Sequence, residues 1–174
     1  GKIIEDLNKN DIKKAIKIFK KNKISNIAVC FIHSYINPKN ELLAEKIIKE
    51  IDPDIKVSLS SKLVREFREF ERTSTTAINA YIQDAVRNYI EELNLGFKRK
   101  KYNKSFFINQ SAGGLLSAQT AKLKPVLSLM SGPSGGVIST SYFGKLENIK
   151  NLIAFDMGGT STDVCAIIDN KPKL

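Results

Sequence analysis

An α/β fold is predicted by three observations. Short apolar runs alternate with amphipathic stretches of helical spacing along the whole chain. Two of these runs, residues 27–32 and 55–59, flank one helix-sized segment, as in a β-α-β unit with parallel strands. Glycine turns follow three further runs, at the strand ends where open α/β sheets bind ligands.

In chain order, Ile12, Ala15, Ile16 and Phe19 share one face of a helix over residues 11–21. Residues 27–32 are continuously apolar, which suits a strand buried on both faces. Asn37 then reads as a helix cap and Pro38 as the first helical residue. Leu42, Leu43, Ile47, Ile48 and Ile51 give that helix its expected buried stripe, and Asp52-Pro53-Asp54 ends it. Ile55, Val57 and Leu59 alternate with polar residues, as in a strand. Residues 60–72 are a polar, charged segment. The strongest helix follows, capped by Thr73 or Ser74, with Ile78, Ile82, Ala85, Tyr89 and Leu93 on one face. At roughly 20 residues it spans about 30 Å and suits a crossover between two halves. Residues 97–104 read as a basic linker.

The second half is expected to hold strands at 105–109 and 126–130, helices at 115–122 and 135–146, and a strand at 152–155 entering a hairpin. The sheet is therefore expected to be mostly parallel, with one terminal hairpin.

Composition narrows the function. The 174 residues are 42% hydrophobic, enough to exclude a disordered tail. Two cysteines exclude a disulfide mini-protein. No run approaches the ~18–20 apolar residues of a membrane span, and the first residues are polar at once, so the expectation is a cytoplasmic chain with no membrane partner. The net charge of +10 points toward a nucleic-acid or membrane surface. Only five basic residues are arginine, the type favoured for bidentate phosphate and base contacts, so a lysine-rich solvated surface is preferred and no nucleic-acid partner is expected.

The sharpest motif is Phe155-Asp156-Met157-Gly158-Gly159-Thr160-Ser161-Thr162-Asp163-Val164, between two apolar strands. Glycines allow positive φ and close backbone approach. Consecutive N–H groups and the hydroxyls of Thr160, Ser161 and Thr162 suit anionic oxygens. Asp156 would repel phosphate alone and makes sense beside Mg²⁺, with Asp163 as a second metal carboxylate or a brace for the turn. A plain Gly-Gly hairpin is the alternative. Neither the P-loop nor the dinucleotide fingerprint occurs. Two further clusters, Ser131-Gly132-Pro133-Ser134-Gly135-Gly136 and Gln110-Ser111-Ala112-Gly113-Gly114, read equally as ligand turns or as tight structural turns. His33, the only histidine, lies just past a strand end and reads as a base or as a loop residue. Glu71 and Arg72 either reach a cleft or pair at a helix start. Cys30 and Cys165, inside apolar strands, read as buried thiols.

The hairpin resembles the phosphate-binding hairpins of the actin, sugar-kinase and Hsp70-type ATPase superfamily, with its ribonuclease-H-like fold. More specifically, the chain resembles the hydantoinase A/5-oxoprolinase family, which includes acetone-carboxylase-type subunits. The matching motifs are His33-Ser34-Tyr35 with Asn37-Pro38, Glu71-Arg72-Thr73-Ser74-Thr75-Thr76 with Asn79-Ala80-Tyr81, Gln110-Ser111 with Gly113-Gly114, Ser131-Gly132-Pro133 with Gly135-Gly136, and residues 156–164. The resemblance implies a fragment: residues 1–72 from the end of an N-terminal domain, 73–95 a crossover helix, and 96–174 the start of the hydantoinase A domain. It implies ATP and Mg²⁺ as cofactors, a cyclic amide substrate, a hydantoinase B-type subunit or domain as partner, and activation of a carbonyl by phosphorylation. Asp156 and Asp163 would be catalytic and Asp156 a metal ligand. Gly158, Gly159, Thr160, Ser161, Thr162, Gly132, Gly135 and Gly136 would hold ATP. His33, Glu71, Arg72, Ser111, Gly113 and Gly114 would face the substrate. The piece alone would be inactive. A ketone-carboxylase subunit and a non-catalytic chaperone- or actin-like ATP module are the alternatives.

Overall fold

The computed structural model describes residues 2–173, and its contacts divide the chain into two units between Tyr89 and Ile90. In the first unit the expected β-α-β forms. Helix α1 (Lys9–Lys21) precedes β1 (Asn26–Val29), α2 (Lys39–Ile51) and β2 (Lys56–Leu59). β1 and β2 pair in parallel, with Ile27 opposite Val57 and Val29 opposite Leu59. Ile16, Ile27, Ile48 and Ile55 are the buried core, and Ile12, Phe19, Val29, Ile51 and Val57 pack around them. The Asn8 side chain caps α1 by accepting the Asn10 N–H at 2.9 Å. Lys20 pairs with Asp52 at 2.7 Å, tying α1 to the end of α2, and that bond holds the Asp52 carboxyl below its usual range. Lys56 and the Asn26 amide both bond Asp84, which joins the two strands to the next long helix and lowers the Asp84 pKa.

Several expectations are corrected here. β1 stops at Val29 and exposes Ala28, although its cross-strand neighbour Ser58 on the same face is buried. Pro38, not Asn37, is the residue before the first helical position of α2, although Asn37 still accepts the Lys39 N–H at 3.2 Å. The buried stripe of α2 is Glu41, Ala44, Ile47 and Ile48, while Leu42 and Leu43 are exposed. A short helix α3 (Ser60–Leu63) interrupts the expected polar segment. Helix α4 (Glu69–Arg99) is 31 residues long, so Thr73 and Ser74 lie inside it and its end absorbs the start of the expected basic loop. Its buried residues up to Tyr89 are Arg72, Thr76, Asn79, Ala80 and Gln83, whereas Ile78 and Tyr89 are exposed. Apolar spacing identified the helix but not its inward face, because four of those five inward residues are polar, and Arg72, Thr76 and Asn79 have hydrogen-bond partners.

Those partners form one chain. The Arg72 guanidinium donates to Ser34 Oγ at 3.0 Å and to the Phe31 carbonyl at 2.9 Å. Ser34 Oγ lies 3.0 Å from Ser60 Oγ, and Ser60 donates to Glu41 at 2.6 Å. Glu41 also accepts the N–H groups of Phe31 at 3.0 Å and Ser61 at 2.9 Å. Arg72, Ser34, Ser60 and Glu41 are all fully buried. Asn79 extends the contact by donating to Ser58 of β2 at 2.9 Å.

The second unit holds two small antiparallel sheets rather than a parallel one. β3 (Phe107–Asn109) and β4 (Leu115–Ser117) form a hairpin, so the first three residues of an expected helix are strand. Ser117 caps α5 (Ala118–Leu123), accepting the Thr120 N–H at 3.1 Å. Residues 126–130, expected as a strand, begin instead as a 3₁₀ turn (Pro125–Ser128), since Pro125 fixes the first φ and Ser128 bonds back to its carbonyl at 2.8 Å. Helix α6 (Ser131–Leu146) follows, then β5 (Leu152–Met157), β6 (Thr162–Ile168) and β7 (Lys171–Pro172) in one antiparallel sheet. Among the described residues, β1–β2 is thus the one parallel pair, and the mostly parallel sheet is not formed. Leu116, Ala121, Ala154 and Ile167 are buried in this unit. No helix among the described residues is long and apolar enough to cross a membrane.

Two stability outcomes are expected. Gly144 sits where α6 meets β5, and a Cβ there would meet the Leu152 side chain, the Ile149 carbonyl at 2.9 Å and Asn170 Oδ1 at 3.1 Å. Gly144→Ala is therefore expected to cost about 1–3 kcal/mol by urea unfolding. Glu41→Ala strands three donors and the Arg72 charge, at an expected cost of about 3–5 kcal/mol. Burial would raise the Glu41 pKa, but the bonds from Ser60, Ser61 and Phe31 outweigh it and hold it below the usual value. Its stabilisation is then complete above the unfolded value of roughly 4.3 and is lost as pH falls through the lower folded value. The urea midpoint of the wild type should fall through that acid range, and that of Glu41→Ala should fall less steeply.

Candidate functional site

The second unit contains a cavity of about 490 Å³, bounded by residues of all three glycine-bearing segments. The β5–β6 hairpin supplies Asp156 and Asp163, which stand directly opposite each other in register. Facing like charges are destabilising in a sheet. Helix α6 supplies Gly136, and the β3–β4 turn supplies Ser111 and Gly113. A Cβ on Gly136 would stand 3.9 Å from Asp156 Oδ2, so the glycine keeps the space beside that carboxylate open.

The turn is built locally. Gly113 and Gly114 have φ of 89° and 90°, a region that suits glycine, and the Gln110 N–H bonds the Gly114 carbonyl at 3.0 Å. Ser111 fixes it to the next segment, since both its N–H and its hydroxyl donate to the Leu127 carbonyl, at 2.8 and 2.9 Å. Ser111 thus has a structural partner as well as a place on the cavity wall. The residues of the second cluster lie within the first turns of α6, where a turn before the helix was expected. Of its glycines, Gly136 lines the cavity, Gly135 packs at 3.0 Å from the Asn109 amide in Cβ terms, and Gly132 is exposed with open space around it.

Gly158, Gly159, Thr160, Ser161 and Thr162 are the exposed tip of the hairpin and do not line the cavity. The Gly158 N–H closes the tip on the Ser161 carbonyl at 3.0 Å. Neither glycine has positive φ, so that expected reason for them is corrected, and a Cβ on Gly159 would meet nothing within 4 Å. Lys173 and Cys165 also line the cavity. Sequence patterning passed over Lys173 and read Cys165 as a buried thiol, and the available signal was the alternation of β6, which puts Cys165 on the same face as Asp163. Cys30 and Cys165 are both half-buried, not fully buried as expected.

Among the described residues no group of three or more His, Cys, Asp or Glu is placed to hold a metal. Two hard carboxylate oxygens beside an open glycine do fit Mg²⁺ of the kind that arrives with a phosphate, since that ion is commonly bound by one or two carboxylates plus substrate oxygens.

In the first unit, His33 is exposed just past β1, with φ of 57°. Arg72 is buried in the network described above. Glu71 is exposed and pairs along the helix with Arg68 at 3.3 Å, not with Arg72. Glu41, Ser34 and Ser60 were missed as functional candidates. The signal for Glu41 was a carboxylate three residues before Ala44 on the helix's inward face.

Residues 72–174 match the family model described as hydantoinase/oxoprolinase. The chain belongs to the hydantoinase/oxoprolinase family. Residues 1–52 match the model of the family's N-terminal region. An uncharacterised protein of Methanocaldococcus jannaschii is 39% identical over 99% of this chain and 25% of its own length. The 5-oxoprolinase of Saccharomyces cerevisiae is 33% identical over 98% of this chain and 13% of its own. Two solved structures share the fold. The ATP-dependent caprolactamase of Pseudomonas jessenii superposes with a TM-score of 0.87 at 30% identity, over 95% of this chain and 24% of that one. Nucleotide-free acetone carboxylase, from a study of ATP-dependent acetone carboxylation, gives 0.83 at 28% identity, over 98% of this chain and 25% of that one. The chain therefore spans a quarter or less of these family members.

The facing carboxylates generate a test with opposite signs. Asp156→Asn removes the cross-strand repulsion and is expected to stabilise the hairpin unit by about 0.2–1 kcal/mol in metal-free urea unfolding. The same change is expected to weaken Mg²⁺-dependent phosphate binding, measured by calorimetry. A carboxylate that merely braced the turn would lose stability on substitution.

Proposed function

We propose that the cavity of the second unit binds the phosphates of ATP together with Mg²⁺, and that the protein carrying this chain uses ATP to open a cyclic amide of the hydantoin or 5-oxoproline type. The observation that carries this reading is the register of Asp156 against Asp163 beside Gly136 and the Ser111–Gly113 turn. Family membership supports it, as do two amide-directed relatives, 5-oxoprolinase and the ATP-dependent caprolactamase. When bound, ATP supplies the phosphoryl group that activates the amide carbonyl, and Mg²⁺ offsets the phosphate charge.

The chain's own residues then have these roles. Asp156 holds the metal, and Asp163 shares its charge or orients its waters. Gly158 and Gly159, at the hairpin tip outside the cavity wall, leave the backbone open to phosphate that reaches beyond the cavity, with Thr160, Ser161 and Thr162 as hydroxyl donors. Gly136 leaves the carboxylate face open, while Gly132 and Gly135 keep the first turns of α6 slim. Lys173 adds a cation to the cavity wall. The matched caprolactamase chain is a subunit alpha, which supports a second, hydantoinase B-type subunit or domain as partner. A cytoplasmic site of action fits the use of ATP.

A ketone carboxylase is the second reading, favoured by the likeness to acetone carboxylase. The two separate in one assay on the intact protein. ATP hydrolysis stimulated by 5-oxoproline, hydantoin or caprolactam supports amide opening. Stimulation by acetone with bicarbonate, and by none of the amides, supports carboxylation. Hydrolysis indifferent to every carbonyl compound defeats both and leaves a nucleotide-binding module. Asp156→Asn is expected to lower the stimulated rate by at least about 100-fold, the scale of losing one preorganised charge contact.

A further inference from the structure

The cavity of the second unit has a wall that phosphate does not need. The residue before α6 and the first two turns of the helix contribute Met130, Pro133, Val137 and Ile138 to it. None of these side chains carries a donor for an anion.

Met130 departs from local preference twice. It is 72% exposed, so the core does not explain a large apolar side chain there. Its φ is 60°, in the left-handed region that bulky residues rarely enter. The neighbouring turn holds it in that state. The Ser111 hydroxyl is shared between the Leu127 and Leu129 carbonyls, so the residue just before Met130 is tied to the β3–β4 turn. Glycine or asparagine would meet the same backbone requirement at less cost. Neither core packing nor turn geometry therefore accounts for methionine at this position, whereas a ligand surface on the cavity wall does.

We propose that Met130 is a specificity-determining residue that packs on the ring methylenes of the cyclic amide, with Val137 and Ile138 beside it, and that Ser111 is a positioning residue acting through the Leu129 carbonyl. The proposal rests on the amide-opening reading above. Phosphorylation of a carbonyl oxygen needs that oxygen in line with the γ-phosphate, so acceptor and phosphate share one cavity. In phosphoryl transfer the metal bridges the β- and γ-oxygens. On that reading the surroundings of Asp156 and Asp163 face the reacting end of the nucleotide rather than its base. An unbranched thioether adapts to rings of different size.

The test uses the intact protein with Mg²⁺–ATP and with hydantoin, 5-oxoproline and caprolactam, which carry increasing numbers of ring methylenes. Met130→Gly keeps the left-handed backbone and removes the side chain. Two constants are followed: the KM for the amide, and its calorimetric Kd beside Mg²⁺ and a non-hydrolysable ATP analogue. Both are expected to rise for each amide that stimulates the wild type. The rise should be about tenfold where methylenes are most numerous, the scale of lost methylene contact in an apolar pocket, and smallest for hydantoin. The thermal midpoint and the Mg²⁺–ATP affinity are expected to hold, and Met130→Leu should keep most of the amide affinity. Ser111→Ala is expected to raise the same constants several-fold, but no further in a Met130→Gly background, because it acts through the side chain already removed. Additive losses would make Ser111 a direct contact and overturn its positioning role. Unchanged amide constants in Met130→Gly overturn the proposal alone. A loss confined to Mg²⁺–ATP affinity also overturns it, by giving the wall to the base, and a fall in thermal midpoint alone gives Met130 to the fold. A wild type that binds Mg²⁺–ATP but neither binds nor is stimulated by any cyclic amide overturns the amide reading itself, and this proposal with it.

Discussion

The first unit depends on a directed chain of hydrogen bonds from a cation to an anion. Arg72 has only donors, so Ser34 accepts from it; Ser60 spends its one proton on Glu41, so Ser34 donates to Ser60. Every hydroxyl proton along the path is thereby assigned. Each group polarises the next, and neither charge is left alone in a low-dielectric interior. The chain ties the ends of β1, α2, β2 and α4 at a single point. The strands are short: each has four residues, and Ala28 of β1 is exposed. The isoleucine core fastens α1 and α2 to the strands, but it lies away from the carboxyl ends. The polar chain fixes those ends.

The second unit holds the opposite arrangement, two like charges in register. Asp156 and Asp163 face each other across the hairpin, and nothing in that sheet needs two carboxylates in register. The apolar alternation of the same strands is otherwise regular, with Ala154 and Ile167 buried on the inward face. A local rule is broken at one register position, and the break lies on a cavity wall beside an unobstructed glycine. Local conflicts that the fold does not resolve internally tend to mark functional positions.

Element types were largely legible from periodicity, and their partners were not. The β-α-β unit followed from two apolar runs around one amphipathic helix, and the parallel register of Ile27 with Val57 agrees. The terminal hairpin was equally clear from its two strands and glycines. Residues 126–130 misled, because a run of apolar residues after Pro125 serves a 3₁₀ turn as readily as a strand, and Ser111 takes its carbonyls. The inward faces of α2 and α4 misled for one reason: hydropathy counts Glu41 and Arg72 as surface residues, while their hydrogen-bond partners lie 10 to 41 positions away. Of the site, the composition of the hairpin announced Asp156 and Asp163. That Gly136 and Gly113 share a cavity with them is a matter of tertiary packing, which spacing does not encode.

The net charge of +10 gains a different meaning beside this cavity. A basic chain draws anions without discrimination, and lysines bind phosphate as hydrated point charges. Specificity for a phosphate that carries its metal requires something lysine cannot supply. A pair of carboxylates repels a bare phosphate and accepts a metal-bound one, so the ion becomes the condition for binding rather than an accessory to it. On the proposed reading Lys173, on the same wall, meets the charge left over on the phosphate oxygens. On that reading the surface charge of the chain concentrates anions, and the facing carboxylates select among them.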